Sequence, residues 1–284
     1  MMGMKKDPIK VFLILNIGIC YLLGIGELIF KNGLFYQILG IGFTFFPVIC
    51  AAFSKRITGA KAKYHLSLKV WKNVRAWLFS AILPDLMIVF GAVLYFLIFP
   101  NEYSGIFKYG MKLGSDAELI IGKPLVLAGV LVLLGAIMVP IQLLELGEEI
   151  GWRKWLLSFQ VEKYGEKKAV LINGTEWGIS HLPLIYFGFN YSLDNPGAPW
   201  TNMLMMLLVC VVLGIIFSYI TIRTENCMYA AIMHGVVNVV GELPVLMTHR
   251  MESTLLGPNP TGIFGLMFLI VLAIMLFFRL KTKN

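Results

Sequence analysis

The sequence predicts an all-α protein, a polytopic membrane helix bundle with about eight transmembrane helices. Its composition is the first indication, because 58% of the 284 residues are hydrophobic and only 14% are charged. Soluble domains carry roughly 25% charged residues and have no way to bury so much apolar surface. A bundle in lipid has no such difficulty, since the hydrocarbon accepts apolar side chains. The protein is therefore expected to be a multi-pass integral protein of the cell membrane.

Apolar runs long enough to span a membrane recur along the whole chain. A spanning helix needs about 20 mostly apolar residues, and these runs lack the alternation with a period of two that barrel strands show. Because no internal repeat or low-complexity tract stands out, residues 1–284 are interpreted as a single integral membrane domain. The eight predicted spans cover roughly residues 11–30, 34–53, 77–99, 125–147, 169–190, 202–222, 227–247 and 261–279.

The lysine and arginine residues fall mainly on one side of the predicted membrane. If the N-terminus is cytoplasmic, 19 of the 24 basic residues lie in cytoplasmic segments. Cytoplasmic loops of membrane proteins carry such an excess, so both termini are expected to be cytoplasmic. The basic residues on the other side are Lys31, Lys108, Lys112, Lys123 and Arg250.

The net charge of +8 does not indicate a nucleic-acid-binding protein. The basic residues sit in the gaps between apolar runs, where they anchor a membrane protein to anionic headgroups. Residues 54–76 contain seven basic and no acidic residues, interleaved with apolar side chains such as Tyr64 and Trp71. This pattern predicts a basic amphipathic helix on the inner leaflet. Membrane lipid is thus an expected partner, and nucleic acid is not.

Ionisable side chains inside the predicted spans mark the candidate site. Each costs about 2.5–3.5 kcal/mol at the centre of a membrane helix, so such residues usually serve a site or a pathway. The fourth span ends in Glu145–Arg153 (ELGEEIGWR), the fifth contains Glu176–His181 (EWGISH) and the seventh contains His234–Asn238 (HGVVN). Counted from the cytoplasmic ends of their helices, all three groups are expected between the inner half and the midplane of the bilayer. We expect them to converge on one cavity open to the cytoplasm.

Helical spacing predicts which of these side chains are neighbours. Glu149 and Arg153 are four residues apart, so they can pair and neutralise each other. Glu148 is rotated by about a quarter turn from Glu149 and is left as the candidate working carboxylate. Two further pairs are also spaced by four residues: His234 with Asn238, and Trp177 with His181.

A carboxylate, two imidazoles and an amide are the parts required for peptide hydrolysis. A general base must take a proton from water, and hydrogen-bond donors must meet the oxyanion that forms. Glu148 with His181 can hold and activate the water, while His234 and Asn238 can face the tetrahedral oxygen. These residues therefore predict an intramembrane endopeptidase that hydrolyses a peptide bond near the cytoplasmic leaflet.

Together the three motifs resemble those of the CPBP family, which comprises CAAX prenyl endopeptidases and bacteriocin-processing enzymes and is also called the Abi family. The motifs are Glu-Glu-x-x-x-Arg, aromatic-x-x-x-His and His-x-x-x-Asn, in this order on separate spans within a core of residues 125–247. The eight-span layout is also similar to the family's. The resemblance implies an intramembrane protease with a peptide or a prenylated protein as substrate.

The resemblance also implies roles for single residues. The second motif usually opens with Phe, whereas Trp177 stands here, and an aromatic packing role survives that change. By the resemblance, Glu148 is the catalytic glutamate, Glu149 and Arg153 are its supporting pair, His181 is the water-holding histidine, and His234 and Asn238 stabilise the oxyanion.

The sequence leaves the need for a metal open. The family is labelled as metalloproteases, although a metal-free glutamate mechanism is also argued for it. If zinc is bound, Glu148, His181 and His234 would form the two-His, one-Glu set of a catalytic site with an open position. Asn238 is a poor zinc ligand but a good hydrogen-bond donor. We favour the metal-free mechanism, in which no cofactor is required, and keep zinc as the alternative.

Other functions were weighed against the protease. One is an ion- or proton-coupled transporter with these residues as its relay, although the paired halves of many transporters are not seen. Another is a non-catalytic immunity or scaffold protein with the same fold. A serine dyad of Ser180 with His234 is disfavoured, because His181 replaces the glycine that normally follows such a serine. Four intramembrane carboxylates have no motif partner, and the third is expected nearest the site: Glu27, Asp85, Glu176 and Glu242.

Overall fold

The computed structural model describes residues 6–104, 144–250 and 253–283. Within these ranges the protein is all-α, as predicted, with two isolated β-bridges and no β-strand. A π-helical segment covers Ile150–Leu156. The α-helices are α1 (Pro8–Phe30), α2 (Leu34–Thr58), α3 (Val74–Ala81), α4 (Leu83–Ile98), α5 (Leu146–Glu149), α6 (Leu157–Tyr164), α7 (Glu166–Tyr186), α8 (Trp200–Thr224), α9 (Met228–Gly241) and α10 (Ile263–Phe278), and short 3-10 helices cover Val70–Lys72, Pro100–Glu102 and Val245–Met247.

Several helical stretches are long and apolar enough to cross a membrane, which confirms a polytopic bundle. α7, which covers the predicted fifth span as far as Tyr186, is not among them, because its polar residues lower its hydropathy. α10, in the predicted eighth span, is apolar but has only 16 residues. Most of the predicted fourth span, 125–147, lies outside the described residues. In the part of the chain that the structure describes, five stretches qualify: Pro8–Phe30, Leu34–Thr58, Val74–Ile98, Trp200–Thr224 and Met228–Met247.

Glu27, one of the carboxylates without a motif partner, connects α1 to α2. Its two carboxylate oxygens accept hydrogen bonds from the backbone N–H groups of Gly33 (2.9 Å) and Tyr36 (3.2 Å). These N–H groups at the start of α2 have no partner within the helix. A buried carboxylate there satisfies them and balances the positive end of the helix dipole. The role of Glu27 is therefore structural.

The prediction of an amphipathic helix over residues 54–76 is wrong. α2 continues to Thr58 and ends at Gly59, whose φ of +67° is in the left-handed region. The chain then forms a loop as far as the short 3-10 helix that precedes α3. Asn226 holds this loop, accepting from the N–H of Ser67 (2.9 Å) and donating to its carbonyl (3.0 Å). The loop thus satisfies its backbone groups on the α8–α9 turn, a tertiary contact that a charge pattern does not contain.

Close helix contacts bring the motif-bearing segments together. α7 and α8 approach so tightly that a Cβ on Gly214 would lie 2.7 Å from the Cα of Gly174. On the other side, a Cβ on Gly151 would collide with Pro47 of α2. Small residues are what allow membrane helices to approach this closely. The segment that begins with α5 is therefore held between α2 and the central α7–α8 pair.

Both ends of the described chain lie at the same end of the bundle. Lys163 pairs with Asp7 at the start of α1, with Nζ 3.4 Å from Oδ2. Lys283 donates from Nζ to the backbone carbonyl of Glu162 (2.7 Å). The loop that follows α2 reaches the same end, because its residue Lys63 pairs with Glu225 at 3.0 Å. We call this the basic end of the bundle. The sequence predicted that the two termini and the loop after α2 lie on one side of the membrane, and the basic end brings them together. That this side is the cytoplasm stays a prediction.

Reporter fusions test the predicted orientation. Fusions placed after Lys283 and within residues 54–76 should report the cytoplasm, because these segments carry the basic excess that stays inside. A fusion within residues 100–123 should report the opposite side and serves as the internal control. An external signal after Lys283 would contradict the predicted orientation.

Candidate active site

The three motifs meet in the interior of the bundle. Glu148 at the end of α5, Trp177 in α7 and His234 in α9 are each at most 5% exposed. Glu149 and Arg153, which follow Glu148 on the same segment, are fully buried. Such a concentration of ionisable groups needs internal partners, since burying a charge without one is costly.

Arg153, Glu149 and His234 form a buried chain of polar contacts. The Nη1 of Arg153 lies 3.3 Å from Oε1 of Glu149, so the pair predicted from helical spacing is confirmed. The same carboxylate oxygen lies 2.9 Å from Nδ1 of His234. A carboxylate only accepts hydrogen bonds, so Nδ1–H of the imidazole is the donor. Glu149 thereby fixes the histidine ring and leaves Nε2 as the nitrogen available for chemistry.

Arg153 is also enclosed by aromatic rings. Its guanidinium carbon lies 4.3 Å from the ring centroid of Trp177 and 5.3 Å from that of Phe217. Contacts of this kind stabilise a desolvated cation beyond its ion pair. Arg153 belongs to the π-helical segment that follows Glu149, and single π-turns of this kind are frequent at functional sites.

Trp177 does more than fill space. Its Nε1–H donates a hydrogen bond of 2.9 Å to Oε2 of Glu148. The phenylalanine usual at this position of the family motif has no such donor. The departure from the family pattern, to which the sequence assigned packing alone, thus fixes the orientation of the candidate catalytic carboxylate.

His181 presents one nitrogen to the site. Its Nδ1 lies 2.9 Å from the backbone carbonyl of Trp177, one turn earlier in α7. A carbonyl only accepts, so Nδ1 carries hydrogen, and in the neutral ring Nε2 keeps a free lone pair. The ring is packed against Phe43 of α2 with centroids 4.1 Å apart. The predicted neighbours Trp177 and His181 are in edge-to-face contact at 5.3 Å, as expected.

A cavity of about 280 Å³ adjoins these side chains. Trp177, His181, His234 and Asn238 all line it, so the second and third motifs open into one space. The lining continues to the end of the bundle opposite the basic end, through Phe189, Asn190, Glu242, Pro260 and Thr261.

This direction differs from the expected opening at the cytoplasmic end. On the side of the site toward the basic end, large side chains fill the interior. Trp152, Arg153 and Phe217 are all fully buried there. The volumes of these side chains, rather than the depth of the motifs in their helices, therefore determine toward which end of the bundle the cavity extends.

Glu242 is a cavity residue that the sequence left without a role. It follows His234 and Asn238 at a spacing of four residues, so the three side chains lie along one face of the chain through α9, and all three line the cavity. Glu176, which was expected nearest the site, instead accepts a 2.6 Å hydrogen bond from Gln160. The four-residue spacing from Asn238 was the sequence signal that could have placed Glu242, rather than Glu176, at the site.

Glu145 is the second residue to which the sequence assigned no role. Ligand atoms of Glu145, Glu148 and His234 all lie within 4.8 Å of one another. Glu145 precedes Glu148 by three residues, which places the two carboxylates on one face of the helical turn. Oε2 of Glu145 lies 3.9 Å from Nε2 of His234.

This group differs by one residue from the ligand set expected from the sequence. Within the described residues, the potential metal-binding group contains Glu145 in place of His181. Two carboxylates and one imidazole nitrogen suit a divalent cation such as zinc by ligand type and number, with a position left open. His181 is held apart because its ring is tied to the backbone of α7.

Ser180 takes no part in the arrangement. Its hydroxyl donates a 2.6 Å hydrogen bond to the carbonyl of Trp177 in its own helix, and the side chain is fully buried. A nucleophilic serine needs its hydroxyl against a general base, so this geometry does not favour the serine dyad.

Comparison with known proteins agrees with the motifs. A family model described as type II CAAX prenyl endopeptidase, Rce1-like, matches residues 124–240, which include Glu148, His181 and Asn238. A CAAX prenyl protease 2 of Methanococcus maripaludis is 26% identical over 133 residues, 46% of this chain and 45% of the relative. The chain thus spans about half the length of that curated relative. The resemblance predicted from the motifs is confirmed: the segment that carries the candidate site is similar to the Rce1-like CAAX prenyl endopeptidases of the CPBP family.

Proposed function

We propose that the protein is an intramembrane endopeptidase of the CAAX prenyl protease type. Its substrate is a peptide or a prenylated, membrane-anchored protein, cleaved within the cell membrane. The observation that carries the proposal is that Glu148 lies beside His234 in the interior, and that His234 lines one cavity together with His181 and Asn238. The match to the Rce1-like model over the same segment supports it.

In this proposal Glu148 is the general base. It takes a proton from a water molecule whose other hydrogen is held by Nε2 of His181, and the water oxygen attacks the carbonyl carbon of the scissile bond. The carbonyl π electrons move to the oxygen. As the intermediate collapses, Glu148 returns the proton to the leaving nitrogen and the C–N bond breaks. Positioned proton transfer of this kind contributes about 10²–10⁴-fold to rate.

His234 and Asn238 stabilise the oxyanion in the proposed mechanism. Because Nδ1 of His234 already donates to Glu149, the Nε2–H of the doubly protonated ring is the donor for the substrate oxygen. Glu149 balances the charge of that ring, and Arg153 holds Glu149 in place. Asn238 adds an amide donor from the next turn of α9. Donors that already point at the developing charge are more effective than the same groups in water.

The walls of the cavity suit an apolar substrate segment. Met206, Val209, Leu213 and Val237 line it beside the polar groups. Aliphatic residues next to a scissile bond would bury their side chains against these walls, at about 25 cal/mol per Å² of apolar surface removed from water. A covalently attached lipid can remain in the surrounding bilayer.

If a divalent metal is bound, Glu145, Glu148 and His234 are the residues that would hold it. Such an ion would act as a Lewis acid toward the scissile carbonyl or a water molecule. We favour the metal-free mechanism, because Asn238 provides an amide donor for the oxyanion and is itself a poor zinc ligand.

Substitutions at Glu148 test the assignment of the base. Glu148→Gln keeps the size of the side chain and an acceptor for Trp177, so the protein should fold while cleavage of a quenched prenylated peptide falls by about 10²–10⁴-fold. His181→Ala should lose activity in the same way. Ser180→Ala is the control and should retain most activity. Wild-type turnover in Glu148→Gln would contradict the proposed mechanism.

Trp177→Phe tests the hydrogen bond to Glu148. The substitution keeps an aromatic ring and removes the donor. Hydrogen bonds to charged groups contribute about 1.5–3 kcal/mol, so kcat/KM should fall by about 10- to 100-fold. The matched control is Trp152→Phe, since Trp152 is equally buried and its indole N–H has no acceptor among the described residues. Equal losses in both variants would mean that ring volume, not the hydrogen bond, accounts for the effect.

Metal content and Asn238→Ala together separate the two mechanisms. In the metal-free case, Asn238→Ala should lower kcat by roughly 10²–10³-fold with less effect on KM. Active enzyme should then contain far less than one metal ion per chain by elemental analysis.

A stoichiometric metal that is lost with activity on chelation, and restored with it, would contradict the metal-free version. In that case Glu145→Gln should reduce the metal content while His181→Ala retains it. The opposite result would favour the ligand set predicted from the sequence.

A further inference from the structure

A second cavity of about 300 Å³ lies at the basic end of the bundle, away from the candidate active site. It is a groove between α2 and the π-helical segment Ile150–Leu156, closed on one side by the loop after α2. We call it the lysine groove. Its lining consists of Val48, Ala51, Ala52, Lys55, Lys61, Ala62, Ile150, Lys154 and Trp155.

The groove exists because α2 and the π-helical segment are in contact at one level of the bundle and lie further apart nearer the basic end. Gly151 packs directly on Pro47 of α2. One turn closer to the basic end, the side chains that face the space are the methyl groups of Ala51, Ala52 and Ala62. Short side chains do not fill the widening gap, so the groove is a consequence of the sequence at this level.

The charge of the groove has one sign. Lys55, Lys61 and Lys154 come from three different segments and line the same space, and no acidic side chain of the described ranges lines it. Among the described residues none of the three forms an ion pair, whereas two other lysines at this end, Lys63 and Lys163, are paired with carboxylates. Three like charges around one space repel one another, and an anion between them would remove that repulsion.

An apolar stripe runs along α2 beside the groove. It consists of side chains spaced by four residues, and they remain 47–72% exposed. In a membrane, such a stripe faces the acyl chains, and lysines at the end of a helix lie at the level of the headgroups. The stripe is formed by Ile41, Phe45, Ile49 and Phe53.

We propose that the lysine groove binds one anionic phospholipid, with its phosphate among Lys55, Lys61 and Lys154 and its acyl chains along the apolar stripe of α2. The groove presents cations where a headgroup lies and apolar surface where chains lie, and basic pockets between membrane helices recognise anionic lipids in this way. Ile150 and Lys154 belong to the segment that carries Arg153 and directly follows Glu149. A bound lipid therefore contacts the back of the segment that holds the candidate catalytic carboxylates. The inference does not depend on the proposed activity.

Fluorescence quenching by brominated lipids tests this proposal. The protein is reconstituted in phosphatidylcholine vesicles with increasing mole fractions of phosphatidylglycerol that carries bromine on its acyl chains. Trp155 lines the groove, and its signal is the difference between the protein and its Trp155→Phe variant. Quenching of Trp155 should saturate at a low mole fraction of the anionic lipid. Brominated phosphatidylcholine should quench it only weakly at the same mole fraction.

Matched charge variants separate a site from general attraction to the membrane. The triple variant Lys55→Gln, Lys61→Gln, Lys154→Gln should need at least ten times more anionic lipid, since each lysine near the surface contributes about fivefold. The control removes the same charge at exposed positions outside the groove: Lys69→Gln, Lys72→Gln and Arg75→Gln. The control should behave like the unmodified protein. Single variants at Lys55 and Lys154, with about fivefold effects each, replace the triple variant if it fails to fold.

Several outcomes would overturn the proposal. Equal losses in the two triple variants would mean general surface attraction, and equal quenching by both brominated lipids would mean that the headgroup is not recognised. Relief of quenching by millimolar inorganic phosphate would identify a site for free phosphate. Relief by a peptide with a free C-terminal carboxylate, but not by its amidated form, would identify a peptide site instead.

Discussion

The burial of the Glu149 carboxylate is the constraint on which the rest of the site depends. A fully buried charge must be paired, and removing one partner of such a pair typically costs 3–5 kcal/mol. Glu149 is compensated from two directions, by Arg153 one turn further along the chain and by His234 from α9. The second contact crosses between helices, so it fixes both the rotation of α9 and the orientation of the imidazole.

The candidate base is also held by a residue that makes several contacts in the site. Trp177 donates to Glu148 with its indole N–H, and its ring covers the guanidinium of Arg153. Its backbone carbonyl also accepts from His181. One residue of α7 therefore orients groups of all three proposed functions: the base, the water-holding histidine and the charge network behind the oxyanion donor. Such dense coupling makes single substitutions here non-additive.

The two cavities lie at different levels of the bundle, the lysine groove at the basic end and the candidate catalytic cavity toward the opposite end. Two residues that line the catalytic cavity, Trp177 and His234, are hydrogen-bonded to Glu148 and Glu149. The segment that follows these carboxylates lines the lysine groove directly. Ile150 and Lys154 face the groove, while Glu149 and Arg153 face the interior. The lysine groove and the candidate active site thus share one helical element.

Spacing along a helix allowed part of the site to be predicted. Because residues four apart lie one above the other on a helix, the pair of Glu149 with Arg153 and the contact of Trp177 with His181 were predictable. The hydrogen bond from Trp177 to Glu148 was not, since it joins two helices whose relative position no local pattern specifies. The placement of Glu242 in the cavity could have been anticipated by extending the spacing from Asn238. Glu145 was missed because its partner His234 lies on another helix.

The sequence by itself determined the all-α membrane architecture and the segments that carry the chemistry, because hydropathy and helical periodicity are local properties. Tertiary structure alone decided that residues 59–69 form a loop bonded to Asn226, that the cavity extends away from the basic end, and that Glu145 rather than His181 joins the potential metal ligands. Each of these depends on contacts between residues far apart in the chain, and such contacts are set by how helices pack. Packing in turn follows from volumes, such as those at Gly151, Gly174 and Gly214, where backbones meet only because no side chain intervenes.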